Sequence, residues 1–423
     1  MHRLIIVGGG FAGLWATRSL KSADIQITLI DRRNHHLFQP LLYQVASAEL
    51  ASPDIAVPLR HILKKQRNVQ IWLGEVIEVL PDRNVVVLDD GRELEYDSLL
   101  IATGATHAYF GNPQWEKHAP GIKTLEDAMH LRNKIFEAFE YAETEPDPEK
   151  KAAWLNFAIV GGGPTGVELA GALSDIAKHT LRGEFRSIDP GMATVRLIEA
   201  GPKILGAFPD ELSFAAELQL RRLGVEVVKN CRVTEINQHG YSLNGAFVPC
   251  RTVIWAAGVQ ASPLGRRLNV PLDRAGRVKV EKNLSVPGHG NIFVAGDLAS
   301  IEVNGRPVPG VAPAAKQMGA YVAELLKARL AGRQEPVFDY HDKGSLAIIG
   351  RMAAVVDVGK FRLSGYIAWL FWLTIHIFFL IGFGNRFVVM LNWGINYWTD
   401  RRFSRIIHEN LKTVKNSPAF DER

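Results

Sequence analysis

Cysteine is almost missing: only Cys231 and Cys250 occur among 423 residues, with no Cys-x-x-Cys pair and no Cys/His cluster. That scarcity excludes a disulfide-stapled fold, an iron–sulfur protein and a thiolate zinc site, and it points to a reducing compartment. A secretory leader is not expected either. Met1-His2-Arg3 runs straight into Leu4-Ile5-Ile6-Val7, which three glycines close, so the run is too short for a signal core and reads as a buried strand. With 47% apolar and 22% charged residues, disorder fails as an account of the whole chain.

Net charge is near zero over most of the length and concentrated at one end. The net charge is +5, and residues 346–423 hold ten Lys/Arg against five Asp/Glu, so the first 345 residues are close to neutral. The same stretch carries four of the nine Trp and eight of the twenty Phe. Nucleic acid is not expected as a partner, because its binders rarely set positive charge beside an uncharged apolar run. A membrane lipid surface accounts for both features.

An internal repeat organises the first 300 residues. LIIVGGGFAG (4–13) and FAIVGGGPTG (157–166) share six of ten positions, and each copy is followed at nearly the same interval by an apolar strand ending in small residues and glycine, at Thr103-Gly104 and at Gly258. Two such strand–glycine–helix units predict an α/β chain with two Rossmann-like dinucleotide-binding domains.

The chemistry of each copy follows from residue type. Gly8 and Gly161 allow the tight turn out of the strand, Gly10 and Gly163 let the backbone approach a pyrophosphate, and Gly13 and Gly166 let the next helix pack closely. A second strand in each copy ends in an acid, Asp31 or Glu199, suited to ribose hydroxyls and repelling a 2′-phosphate. Glu199 therefore implies NADH over NADPH, although Lys203 lies near it in sequence. A third strand, Asn291–Val294, ends in Gly296-Asp297 and is expected to complete the first site. The expected domains are FAD-binding at 1–118 and 289–345, NADH-binding at 119–288, and a C-terminal amphipathic membrane-anchoring region at 346–423. Two sites with different jobs suggest FAD held in the first and a visiting nicotinamide in the second.

The electron acceptor is narrowed by what is lacking. The flavin domain has no cysteine, so the redox dithiol of a disulfide reductase is missing, and Cys231 and Cys250 read as small buried thiols at strand positions in the second domain. A soluble one-electron protein or a lipid-soluble quinone remains. Leu363–Phe383 runs twenty-one residues with no acid or base but His376. A single span, an interfacial helix and a buried or dimer contact are all open. Basic flanks on both sides (Lys360 and Arg362; Arg386, Arg401, Arg402 and Arg405) favour the interface. A second, amphipathic helix is expected after a break at Gly382 and Gly384, with Asn385, Asn392, Asn396 and Thr399 at helical spacing.

His35-His36 reads as a solvated loop pair and no metal site is expected. His376 reads as an interfacial or hydrogen-bonded histidine, and 143–151, rich in Glu, Pro and Lys, as an exposed linker.

FQPLLYQVA (38–46), the paired VGGG fingerprints, VELAGAL (167–173), WAAGV (255–259), VAGDLA (294–299) and AAKQMGAYVAELL (314–326) together resemble type II NADH:quinone oxidoreductases, single-chain non-pumping flavoenzymes, over nearly the whole chain. The resemblance implies FAD on Gly8, Gly10, Gly13, Asp31, Arg32, Val76, Thr103, Gly104 and Asp297, with Gln44 beside the flavin ring. It implies NADH on Gly161, Gly163, Gly166, Glu199 and Gly258. Ala315 and Gln317 would line the quinone entrance, where Lys316 departs from the glutamine of many members. Glu168 would assist proton delivery, its plainer reading being an acid near the helix dipole. The implied setting is the cytoplasmic face of the inner membrane, as a peripheral homodimer. A soluble reductase of a ferredoxin-like acceptor and a non-catalytic FAD/NADH redox sensor stand as the alternatives.

Overall fold

The structure, a computed structural model, describes residues 1–380, 383–399, 402 and 404–407. β1 (His2–Val7) leads through the glycine turn into α1 (Phe11–Ser19), followed by β2 (Ile25–Asp31), β3 (Val69–Leu73) and β4 (Ser98–Ile101). β1 pairs in parallel with β2, His2 opposite Ile25, and with β4, Leu4 opposite Ser98. β4 is apolar apart from its first residue and is buried along its whole length, as a strand covered on both faces must be.

The second copy is preceded by α2 (Leu125–Thr144), which a reciprocal Thr124–Asp127 capping box starts. It comprises β5 (Asn156–Val160), α3 (Pro164–Asp175), β6 (Thr194–Ile198), β7 (Val225–Val228) and β8 (Thr252–Trp255). Its strand order, β7-β6-β5-β8, repeats the β3-β2-β1-β4 of the first copy. β9 (His289–Val294) then joins β4 in parallel, Ile292 opposite Leu99, and α4 (Ala312–Leu330) follows.

The chain falls into two compact units, one of residues 1–38, 56–108 and 258–344, the other of 39–55, 109–257 and 345–423. The first unit resumes at 258, well before the 289 expected, and the reason is strand pairing. Val259–Ala261 pairs antiparallel with Ala105–His107 and ties the chain to the first unit as soon as it leaves β8. Residues 39–55 belong to the second unit, where the short helix Leu42–Ala46 packs on α2.

The tail is not helical throughout. β10 (Ser345–Gly350), β11 (Ala353–Val358) and β12 (Phe361–Ser364) form an antiparallel sheet on α3, and Gly171 approaches the Ile349 carbonyl too closely for any side chain. Gly365 at φ +74° turns the chain into α5 (Tyr366–Phe379), 14 residues long rather than the twenty-one of the apolar run. Among the described residues no helix is long and apolar enough to cross a membrane. α6 (Phe383–Thr399) contains Gly384, expected in the break, while Gly382, Arg401 and the side chain of Thr399 lie outside the description.

Residues 143–151 are not a linker. α2 runs to Thr144, a helix capped by Asp147 begins at Pro148, and the Glu143 carboxylate accepts backbone N–H bonds from Arg186, Ser187 and Ile188. Cys250 is buried and Cys231 half-buried, and neither sits inside a strand.

Candidate functional site

In the first unit the glycine turn has the form a pyrophosphate requires. Gly8 sits at φ +106°, and a Cβ there would strike the Ala102 carbonyl, whereas a Cβ on Gly10 would meet open space. Gly13 lies against the Gly8 carbonyl. No side chain caps α1 and no acid occupies its first turn, so its positive dipole end faces the glycines uncompensated. Gly104, at φ +69°, opens onto empty space, and the buried Oγ1 of Thr103 has no partner among the described residues. An orphaned hydroxyl beside an uncapped helix end fits a polar, phosphate-bearing occupant such as FAD.

The strand-end acid closes this cradle in a way the fingerprint alone does not reveal. Asp31 Oδ2 accepts the Gly9 N–H at 2.5 Å, and Oδ1 accepts the Arg33 N–H at 2.7 Å. Arg32 forms an exposed pair with Glu75 at 3.9 Å, and Val76 opens the strand after Gly74, whose N–H donates to the Asp31 carbonyl. Asp297 follows Gly296 in a single 3-10 turn, with Gly310 and Ala315 close by.

The second unit repeats the cradle. Gly161 sits at φ +112°, where a Cβ would lie 2.5 Å from Ala256, and Gly163 again faces open space. Glu199 Oε2 accepts the Gly162 N–H at 2.7 Å, and Oε1 accepts the Gly201 N–H at 2.6 Å. Lys203, whose position tempered the NADH reading, donates to the Phe208 carbonyl and pairs with Asp210 at 2.7 Å. Its charge is already engaged.

Two residues fall outside the unit that holds their expected companions. Gly258, grouped with the second cradle, opens the returning segment of the first unit, and Gln44, grouped with the flavin residues, belongs to the second. Gln317 Nε2 donates to the His341 carbonyl at 3.0 Å and its Oε1 accepts the His341 N–H at 2.9 Å, so its amide clamps the chain after α4. Its neighbour Lys316 holds its ammonium 4.4 Å from the Trp15 ring centre and 5.0 Å from that of Phe11, and burial lowers its pKa to about 8.

His36 is buried rather than solvated. Its Nδ1–H donates to the Gly9 carbonyl at 3.0 Å, and burial pushes its pKa down to about 4, so the ring is neutral. His376 likewise donates Nδ1–H to the Trp372 carbonyl at 2.8 Å while stacking on that indole at 3.9 Å, and burial holds it at about 4. It is the hydrogen-bonded histidine of the sequence reading.

The second unit also contains a cleft with Tyr43, Glu49, Glu168, Asp175, Asn396 and Arg402 on its walls. Burial raises the Glu168 carboxyl well above its ordinary value, only partly offset by a backbone hydrogen bond from Ile348. Glu168 thus keeps its proton at pH values where a solvated glutamate has lost it. Tyr43 links outward: Gln44 Nε2 donates to its hydroxyl at 2.9 Å, and Trp393 Nε1 donates to Gln44 Oε1 at 3.0 Å. Glu49 escaped the sequence reading, Tyr43 appeared there only within the 38–46 motif, and Arg402 only as part of a basic flank. The one available signal was a lone acid, Glu49, inside the otherwise uncharged stretch Leu41–Pro53.

The second tail helix, α6, turns its amides inward. Asn385 donates to the carbonyls of Pro53 and Asp54, Asn392 to the Asp54 carboxylate, and Asn396 to the Glu49 carbonyl. What faces outward is apolar: Ile367, Leu370 and Phe378 on α5, and Phe387, Met390 and Leu391 on α6, are all exposed. Several flanking cations, by contrast, are paired. Arg362 binds Glu211, Arg402 binds Asp175, and Arg405 binds Glu184.

Comparison with known proteins completes the description of the site. Residues 2–319 match the pyridine nucleotide-disulphide oxidoreductase family model, and residues 342–402 match the NDH2 C-terminal domain. The chain is 45% identical over 417 residues to the type II NADH:quinone oxidoreductase Ndh of Mycobacterium tuberculosis, covering 95% of this chain and 89% of that one. It is 42% identical to NdhA of the same organism, over 94% and 87% of the two chains. Its fold is similar to that of NDH2 from Plasmodium falciparum, solved in complex with NADH, with a TM-score of 0.88 at 22% identity over 96% of this chain and 100% of that one.

Proposed function

Because the chain belongs to the type II NADH:quinone oxidoreductase family, we propose that it is an FAD-dependent enzyme that oxidises NADH and reduces a quinone. The observation that carries this reading is the duplicated cradle, in which Asp31 holds Gly9 and Glu199 holds Gly162 in the same manner. Bound FAD supplies chemistry that no side chain here offers, accepting a hydride and returning an electron pair.

The protein's part is positioning and proton supply. The Gly8–Gly13 turn, Asp31, Arg32, Val76, Thr103, Gly104 and Asp297 would hold FAD, with Gln44 at its ring. The Gly161–Gly166 turn, Glu199 and Gly258 would hold NADH. Glu199 would take the ribose hydroxyls, and Lys203, engaged by Asp210, is not offered to a 2′-phosphate. Glu168, protonated by virtue of its burial, would give up a proton as the quinone is reduced. Ala315 and Gln317 would border the quinone entrance.

The exposed apolar face of α5 and α6 supports a monotopic seat in the lipid interface, from which a quinone reaches the site. The cytoplasmic face of the inner membrane is the setting that goes with this reading. The paired state of Arg362, Arg402 and Arg405 makes this seat more hydrophobic and less electrostatic than the sequence implies. Pumping is not part of the reading, since it would require a path of polar groups across the bilayer. A homodimer remains part of it.

The test is NADH oxidation by detergent-solubilised protein with and without a quinone analogue. Turnover that depends on the quinone supports the reading. Turnover only with a ferredoxin-type acceptor favours the soluble reductase, and NADH binding without turnover favours the sensor.

A further inference from the structure

We propose that the cleft bounded by Glu49, Glu168 and Asn396 is the proton port of the enzyme, with Glu49 the positioning residue that reloads Glu168 through water. This deepens the quinone reading and rests on it. The stoichiometry creates the need: NADH + H⁺ + quinone → NAD⁺ + quinol. The hydride brings two electrons and one hydrogen nucleus, so one further proton must come from water at each turnover. In the proposal the Glu168 O–H bond breaks as a quinone O–H bond forms, and the carboxylate regains its proton from Glu49, which exchanges with solvent at the mouth.

Geometry carries the argument. Glu168 and Asp175 lie seven residues apart on α3, two turns along one face, and both line the cleft. Glu49 enters from the opposite chain segment, which is fixed at three points. Its own N–H donates to the Gln44 carbonyl at 2.8 Å, Asn396 Nδ2 donates to its carbonyl at 3.0 Å, and Arg402 donates to the Ser47 carbonyl at 2.7 Å. Between them Ala48 holds a left-handed φ of 59°, a conformation alanine adopts only under constraint.

The second observation is Asn396 itself. It is 9% exposed, it lines the cleft, and its Oδ1 has no partner among the described residues. A buried amide oxygen facing a cleft that Glu49, Glu168 and Asp175 also line calls for water, and water is what a proton needs to cross from one carboxyl to another.

The electrostatics agree with the placement. Arg402 directs its guanidinium at Asp175, at 2.5 Å, and at the Ser47 carbonyl. Arg402 lowers and Asp175 raises the proton affinity of Glu49, and burial, the largest influence, brings it to about 6. Tyr43, Thr180 and Arg351 complete the polar lining. A carboxyl poised near 6 can both take a proton from neutral water and pass it on to Glu168, whose proton affinity burial also raises.

The experiment compares two acceptors on the full-length detergent-solubilised holoenzyme. A short-chain benzoquinone needs the proton; ferricyanide takes electrons one at a time and needs none. Glu49→Gln is expected to lower kcat with the quinone about tenfold while the ferricyanide rate changes by less than about twofold, and Glu49→Asp is expected to recover most of the loss. In the wild type the ratio of quinone to ferricyanide rates should fall as pH rises through about 6, and in Glu49→Gln that bend should vanish. Unchanged quinone turnover in Glu49→Gln, or an equal loss with both acceptors, overturns the relay alone. Wild-type protein that reduces ferricyanide but no quinone overturns the quinone reading and the relay with it.

Discussion

The Glu199 carboxylate holds the Gly162 amide at 2.7 Å, using the side chain that a ribose would meet to fix the turn that a pyrophosphate would meet. Glu199→Ala should raise the KM for NADH by about tenfold and loosen the turn together with the ribose contact. Steady-state kinetics with NADH checks it, and a change in kcat alone would contradict the assignment.

Lys203 bears on cofactor choice through its bond to Asp210. Wild type should prefer NADH over NADPH by about a hundredfold in kcat/KM. Asp210→Ala frees the ammonium for a 2′-phosphate and should narrow that preference severalfold. Parallel assays with the two nucleotides decide the matter.

Gly8→Ala places a Cβ against the Ala102 carbonyl at a φ of +106°, strain of roughly 2 kcal/mol or more where the flavin should sit. The variant should purify with little or no yellow colour, read as absorbance near the flavin maximum relative to protein. Gly104→Ala, where the space is open but φ is +69°, should lose less.

Acidity should act on stability through Glu49. Its folded pKa of about 6 lies above the ordinary 4.5, so the folded chain binds this proton more tightly than the unfolded chain does. The stabilising contribution is complete below about pH 4.5 and lost as pH rises through 6, amounting to about 2 kcal/mol. Glu168 adds in the same direction. Glu49→Gln should therefore gain Tm relative to wild type at pH 8 compared with pH 5. Thermal melts at the two pH values provide the comparison.

The lipid seat is best tested on the outward residues. Truncation from residue 360 would strip β12 and the buried Trp393, harming the fold along with the anchor. Phe378→Glu with Phe387→Glu, both on exposed positions, should leave the fold intact and shift the protein from sedimented vesicles to the supernatant. Continued co-sedimentation of the double variant would contradict the assignment.

The parts legible in the sequence were those dictated by local geometry. A turn at φ above +100° beside a helix that must pack closely leaves glycine as the tolerable residue, so Gly8, Gly13, Gly161 and Gly166 announced β1–α1 and β5–α3. The return at Gly258 was hidden, because the pairing of Val259–Ala261 with Ala105–His107 is a long-range contact that leaves no periodic trace. The asparagines of α6 were legible as a stripe but not in their direction. Helical spacing groups Asn385, Asn392 and Asn396 on one face without saying whether it meets water or the carbonyls and carboxylate of residues 49–54. Arg402 and Arg405 suggested a basic flank by composition, and only their folded neighbours Asp175 and Glu184 reveal the pairing.

The central claim is that one chain takes electrons from NADH and delivers them to a quinone through a bound flavin. An anaerobic titration followed by visible absorbance tests it most directly. About one equivalent of NADH should bleach the flavin, and one equivalent of a benzoquinone should restore it within the turnover time. Protein that stays yellow under excess NADH, or that bleaches but is not reoxidised by quinone, would contradict the account.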